Sequence, residues 1–265
     1  MSKSHYSGIV QRIESALKAS QAVFKKFTPG TIAAEYKSGH DPVTEADREV
    51  NAVLQRELPR GEEGWFSEES VDDLSRLSKR ALWIVDPLDG TREFVAGIPE
   101  FCVSIAYVED HHAVAGGIYN PATEEFFAGA LGLGITYNGK PARVSAKSEL
   151  AGATVLASRS ETKRGEWKQF EQEQFKVMPM GSVAYKLALV AAGLADATFT
   201  LVPKHEWDVA AGAALIESAG GFVRTLENQP LRCNQRSPLI SGLIAGGTGL
   251  QEQLLAVALK NPSPR

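Results

Sequence analysis

The feature that most limits how this chain can fold is a short apolar run, Leu82-Trp83-Ile84-Val85, that ends abruptly on Asp86-Pro87-Leu88-Asp89-Gly90-Thr91. Such a run predicts a buried strand. It delivers two carboxylates, three residues apart, to a carboxyl end, where ligands bind in open α/β sheets. Pro87 fixes its own φ and Gly90 permits a tight turn, so the Asp86 and Asp89 side chains can converge with the Leu88 carbonyl between them. Two carboxylates held this close must share a proton or hold a cation. Oxygen ligands with no His or Cys nearby select a hard ion, Mg²⁺ or Mn²⁺. Thr91 can open a helical turn whose free N–H groups suit a phosphate. The competing reading is an ordinary strand-ending turn, in which Asp-Pro and Asp-Gly are common.

Elements on either side supply the layers. Ile9, Ile13, Ala16, Leu17, Ser20 and Phe24 recur three and four apart, predicting an amphipathic helix from Ser4 to about Phe27. Thr44, with Asp47 three positions on, predicts a second helix carrying Val50, Val53, Leu54 and Leu58. Residues 101–108, 113–119 and 124–128 read as extended, and Asn138-Gly139 marks a hairpin turn between 135–137 and 141–144. From Thr154 onward strands and helices alternate: strands at 154–157, 175–177, 197–202, 222–225 and 239–245, helices at 161–172, 182–192, 207–219 and 249–259. The expected class is α/β (α+β), with residues 1–150 and 151–265 as tightly packed halves of one structural unit. The last residues, 261–265, are expected to fray.

Composition narrows the function. A chain of 265 residues buries a sizeable core without staples, and its two cysteines, Cys102 and Cys233, form no CxxC pair. A disulfide framework and a structural zinc site are therefore not expected, and a reducing compartment fits. The net charge of −4 argues against a surface that coats nucleic acid. The start, MSKSHYSGIVQRIES, lacks the apolar core of a secretory signal. No apolar run approaches the roughly 18–20 residues needed to span a bilayer. A cytoplasmic protein without membrane or nucleic-acid partners is the expectation.

Three other acidic segments join the first. Glu68-Glu69 follows the aromatic pair Trp65-Phe66 and Ser67, an odd place for simple solvation. Asp47 sits in the first turn of the second helix, where capping alone would explain it. Trp207-Asp208-Val209-Ala210-Ala211-Gly212 opens a helix of small residues that lets another backbone approach. In this order, Asp41-Pro42-Val43-Thr44-Glu45-Ala46-Asp47, Glu68-Glu69, Asp86-Pro87-Leu88-Asp89-Gly90-Thr91 and Trp207–Gly212 strongly resemble the inositol monophosphatase superfamily of Mg²⁺-dependent, lithium-sensitive phosphatases.

That resemblance spans Asp41 to Gly221 and implies a layered αβαβα sandwich of the inositol monophosphatase/fructose-1,6-bisphosphatase type, assembled as a homodimer. It implies that Glu68, Asp86, the Leu88 carbonyl and Thr91 ring one metal. Asp86, Asp89 and Asp208 would hold a second, and Glu68 a weaker third. Thr91, supported by Asp47, would orient the attacking water, with the Gly90 and Thr91 N–H groups on the phosphate. Two or three Mg²⁺ are implied, with Mn²⁺ as a substitute and Li⁺ and Ca²⁺ as inhibitors. A phosphate monoester carries about two negative charges near neutral pH. Cations that shield it, acidify the water and stabilise the leaving oxygen give a two-metal in-line attack. No covalent intermediate is expected, because the spacing here is Asp-x-x-Asp rather than Asp-x-Asp.

The substrate is a small phosphate ester. Arg92-Glu93-Phe94 after Thr91, and Ser67 before Glu68, resemble the CysQ-type 3′(2′),5′-bisphosphate nucleotidase branch. Inositol phosphatases carry an acid seven residues before the final metal aspartate, and this chain has Leu201 there. Gly181-Ser182-Val183-Ala184-Tyr185-Lys186 departs from the nucleotidase pattern, which places lysine one position earlier. Gly181 and Ser182 stand at a helix N-terminus, ready to meet the leaving group. Lys186, Lys204 and Arg159 are candidates for a second phosphate, and Glu206 for a leaving-group contact. The alternatives are an inositol-1-monophosphatase, a sugar (fructose-1,6-bis)phosphatase, or a non-enzymatic RNA- or protein-binding regulator.

Several features are decoys. Gly134-Ile135-Thr136-Tyr137-Asn138-Gly139-Lys140 imitates a P-loop, but Pro141 stands where the Mg²⁺-binding hydroxyl belongs. His111-His112 reads as a turn, Cys102 as a buried small hydrophobe, and Ser158 and Ser160 lack a nucleophile elbow.

Overall fold

In a computed structural model that describes residues 3–36 and 42–260, the helical spacing of Ile9, Ile13, Ala16 and Leu17 becomes α1 (Lys3–Phe24), which buries all four. Asp41 of the first motif and the end 261–265 lie outside the described residues. A short antiparallel pair, β1 (Glu35–Tyr36) and β2 (Pro42–Val43), leads to α2 (Glu45–Glu57). Thr44 and Asp47 form its capping box, the Thr44 N–H donating to Asp47 Oδ2 at 2.7 Å.

Both helices cover one face of a seven-stranded sheet. Its strands run β3 (Gly64–Ser67), β4 (Ala81–Asp89), β5 (Cys102–Glu109), β6 (His112–Asn120), β7 (Glu125–Ala130), β8 (Gly134–Tyr137) and β9 (Lys140–Ala142), in spatial as in sequence order. β3 and β4 are parallel and the other pairs antiparallel. The short helix α3 (Thr91–Ala96) follows β4 directly. Asn138 and Gly139 both take positive φ, 48° and 75°, in the β8–β9 hairpin.

The second sheet is formed by β10 (Thr154–Ser158), β11 (Lys176–Met180), β12 (Ala197–Thr200), β14 (Gly221–Thr225) and β16 (Leu243–Gly247) in the order β11-β10-β12-β16-β14. Between these strands lie α4 (Arg159–Lys163), α5 (Val183–Ala191) and α6 (Glu206–Ser218), and α7 (Gln251–Lys260) follows. β13 (Lys204–His205) and β15 (Leu239–Ile240) pair separately.

Strand alternation sorts the core into three apolar seams. Trp83 and Val85 face α1 and α2, while Leu82 and Ile84 face α5 and α6. Leu156 joins the central seam, and Val155 faces outward with Phe199, Trp167, Phe170 and Leu254. The order is therefore helix, sheet, helix, sheet, helix. The central seam draws on both halves of the chain.

Three expected elements differ. The helix at 161–172 is replaced by α4 and a 3-10 turn (Glu166–Phe170), divided by Gly165, because Trp167 and Phe170 must reach Phe199 together. The strand at 239–245 breaks at Gly242 into β15 and β16, which pair in different sheets. The strand expected to end at Asp86 runs on to Asp89 through a register shift.

Candidate active site

Three carboxylates meet where β4 ends. Oxygens of Asp86, Asp89 and Asp208 all lie within 4.8 Å of one another. Each acid is oriented by a local donor. Asp86 Oδ1 accepts the Leu88 N–H at 2.9 Å, and the register shift then brings Asp89 toward the same point. Asp89 Oδ2 accepts both the Ser182 hydroxyl and the Ala184 N–H at 2.6 Å, so it caps the start of α5. Asp208 Oδ2 accepts the His205 N–H at 2.8 Å in the first turn of α6. Parallel pairing of Ser67 with Val85 places Glu68 beside them, its own N–H donating to the Val85 carbonyl.

Burial pushes the Asp86, Asp89 and Asp208 carboxyls above the usual range, and for Asp86 the charges of Glu68, Asp89 and Asp208 push further. An all-carboxylate cluster of this kind fits a hard, oxygen-seeking divalent ion.

Asp47 and Thr91 adjoin the cluster. The Thr91 hydroxyl stands 3.1 Å from Asp47 Oδ1 and 2.9 Å from the Leu88 carbonyl, and can donate to one at a time. Burial lifts the Asp47 carboxyl to about 6, against the lowering pull of its Thr44 bonds. Gly90 begins α3 at φ 95°, where a Cβ would lie 2.8 Å from the Glu100 carbonyl.

Glu68, Asp86, Leu88, Asp89, Gly90, Thr91 and Asp208 line an open cleft of about 420 Å³, together with Gly181, Ser182, Arg159, Lys186 and Lys204, while Asp47 is buried outside that lining. Ser182 holds φ 52°, a strained value for a side-chain residue, and its hydroxyl both donates to Asp89 and accepts from the Tyr185 N–H. Burial draws the Lys186 ammonium down to about 8, opposed by the charge of Asp89. Arg159 is occupied by Glu100, and Glu100 Oε2 also accepts the Gly181 N–H at 2.6 Å. Glu100 gave no signal in the sequence, since its partners at 159 and 181 are remote along the chain.

Glu206 is a correction. It is fully buried outside the cleft lining, and its oxygens accept the Asn234 and Gln235 N–H groups at 2.6 and 2.8 Å. Two positions apart on one helix, Glu206 and Asp208 point to nearly opposite sides. Leu201 also lies outside the lining and packs against the outer seam. Cys102 is buried as expected, with its thiol 3.4 Å from the Ser182 hydroxyl.

The inositol monophosphatase family profile matches residues 7–262, nearly the whole chain. This chain belongs to the inositol monophosphatase family. Among its relatives, the inositol-1-monophosphatase of Mesorhizobium japonicum is 32% identical over 259 residues, covering 94% of this chain and 95% of the relative. The IMPase of Thermotoga maritima superposes with a TM-score of 0.83 at 26% identity, over 97% of both chains. CysQ of Bacteroides thetaiotaomicron, a bacterial family member, gives 0.76 at 27% identity, over 91% of this chain and 97% of its own. Membership makes this inositol monophosphatase homologue a metal-dependent phosphoric monoester hydrolase, and its layered fold is the family's. Among the described residues no helix is long and apolar enough to cross a membrane.

Proposed function

We propose that this family member hydrolyses a small phosphate monoester with Mg²⁺, preferring 3′(2′),5′-bisphosphate nucleotides such as adenosine 3′,5′-bisphosphate. The observation that carries the reading is the meeting of Asp86, Asp89 and Asp208 in one cleft with Thr91, whose hydroxyl reaches the buried Asp47. Bound divalent ions would shield the ester and acidify the attacking water. The chain does the rest. Glu68, Asp86, the Leu88 carbonyl, Asp89 and Asp208 hold the ions. With its proton on Asp47, the Thr91 hydroxyl turns a lone pair toward the water and orients it. Gly90 and Thr91 N–H groups receive the phosphate, and Gly181 and Ser182 face the leaving group.

The nucleotide preference is supported by Arg92-Glu93-Phe94 after Thr91, of which Arg92 and Glu93 line the cleft. Inositol 1-phosphate is the second reading, favoured by the relative that bears that activity in its name. Lithium sensitivity, a cytoplasmic setting and a homodimer belong to the same proposal. A regulator that binds RNA or protein would not need acids gathered this way.

A panel of phosphate esters assayed with Mg²⁺, with and without Li⁺ and EDTA, tests the proposal. Phosphate release should need Mg²⁺ and be fastest from adenosine 3′,5′-bisphosphate. Hydrolysis of inositol 1-phosphate but not of the nucleotide would reverse the ranking. An inactive Asp89→Asn variant that keeps the full cellular phenotype would favour the regulator.

A further inference from the structure

We propose that Glu100, which lies outside the cleft lining, is a positioning residue for the hydrolysis: it holds the turn at Gly181 and Ser182 in place against the phosphate-receiving turn at Gly90 and Thr91. The inference rests on the phosphatase reading above and deepens it.

Glu100 stands in the connection between α3 and β5, which is pinned by its own backbone. The Ile98 N–H donates to the Glu93 carbonyl at 2.8 Å, and the Pro99 carbonyl accepts from the side-chain amide of buried Asn120 at 3.1 Å. The Glu100 carbonyl abuts Gly90, where a Cβ would come within 2.8 Å of it. Its carboxylate reaches the later half of the chain. Sheet register makes this possible: β10 and β11 run parallel with Ser158 opposite Met180, so the next residues, Arg159 and Gly181, leave the sheet side by side. Glu100 Oε2 accepts from both, from Arg159 Nη2 and the Gly181 N–H at 2.6 Å and from Arg159 Nε at 3.1 Å. One residue thus touches the phosphate turn with its backbone and the leaving-group turn with its side chain.

The pair with Arg159 would by itself be an ordinary ion pair, and such pairs contribute little when exposed. The Gly181 bond gives it a further role. The Glu100 side chain is 17% exposed, and a carboxylate accepting an N–H makes a shorter, stronger bond than a neutral acceptor does. Gly181 has no slack toward α3, since a Cβ on it would lie 2.5 Å from the Glu93 carboxyl carbon. Ser182 then takes φ 52°, a value that persists only where the surroundings impose it. Its hydroxyl donates to Asp89 at 2.6 Å. A relaxed turn would carry that contact away from the metal-binding acids as well as from the leaving group. Glu100 reaches the ester only through Gly181 and Ser182.

The test compares two kinds of ester in the Mg²⁺-loaded enzyme. One is the faster-cleaved of adenosine 3′,5′-bisphosphate and inositol 1-phosphate, whose alcohols are poor leaving groups. The other is p-nitrophenyl phosphate, whose phenolate leaves without help. Glu100→Met keeps the length of the side chain and removes the acceptor. It should lower kcat on the alcohol ester by about ten- to a hundred-fold, and on the aryl ester by less than about three-fold. Glu100→Gln keeps an acceptor oxygen without the charge and should recover most of that selective loss, leaving about two- to five-fold. Where Glu100→Met does not fold, the Glu100→Gln comparison decides alone. Hydrogen exchange gives a second readout: the Gly181 amide should be protected in the wild type and exchange faster in both variants. Equal losses on the two esters, no loss on either, or an unprotected Gly181 amide in the wild type overturns the inference. No Mg²⁺-dependent release from any ester would instead overturn the phosphatase reading itself.

Discussion

Asp47 shows how one buried carboxyl can set a pH limit. Its carboxyl, lifted to about 6, takes up a proton as the solution is acidified through that value. Protonated, it accepts the Thr91 proton less well, so the water is less firmly oriented. At saturating Mg²⁺, kcat should therefore fall as pH drops from 7.5 to 5. Asp47→Asn should lower kcat by about 10²–10⁴ and erase that acid limb. A pH–rate profile of both proteins checks this, and a variant with wild-type rates would contradict it. The sequence made Asp47 legible through its capping spacing, and Asp86, Asp89 and Asp208 through the ends of their elements. It misled at Glu206, because adjacency to Trp207-Asp208 along the chain says nothing of the helical rotation between them. It was silent on Glu100, whose work at Gly181 depends on two loops meeting in space.

Among the elements, α6 is packed closely on two sides. A Cβ on Gly212 would overlap the Leu187 Cβ of α5, and one on Gly116 of β6 would overlap the Ala211 carbonyl of α6. Small residues at 210–214 let α6 sit between sheet and helix with Asp208 at its start. Gly212→Val should cost about 1–3 kcal/mol, lower Tm by several degrees and weaken Mg²⁺ binding by shifting Asp208. Gly8→Ala, on an exposed stretch of α1 with open space around it, should instead stabilise by about 0.5–1 kcal/mol. Thermal melts and Mg²⁺ titrations of the two variants separate packing from a general glycine effect. Long elements such as α1, α2 and β4 were readable because one face repeats at a fixed period. The segment after β10 was not: its aromatic pair, Trp167 and Phe170, satisfies a helical period and a 3-10 turn equally, and only Phe199 decides between them.

For the molecule as a whole, the acids at the cleft oppose folding until something neutralises them. Carboxyls raised above their unfolded values hold protons more firmly in the folded chain. Their contribution favours the fold at low pH and fades as pH rises out of the ordinary carboxylate range through those raised values. Metal-free protein should therefore melt at lower temperature at pH 8 than at pH 5.5. Mg²⁺ at about a hundred times its Kd should restore about 2.7 kcal/mol, roughly 5–10 °C. Asp86→Asn should abolish turnover while leaving metal-free stability unchanged or higher; calorimetry in EDTA showing it to unfold well below wild type would contradict this. The central seam adds a consequence in time. Asp89 is oriented by α5 and completed by Asp208 of α6, both drawn from the later half of the chain. A polypeptide still emerging from the ribosome, with β4 already extruded, has two of the three converging acids and no way to aim them. It can capture ions and cleave esters only once the second sheet has docked, so unfinished copies stay inert toward the phosphate esters around them.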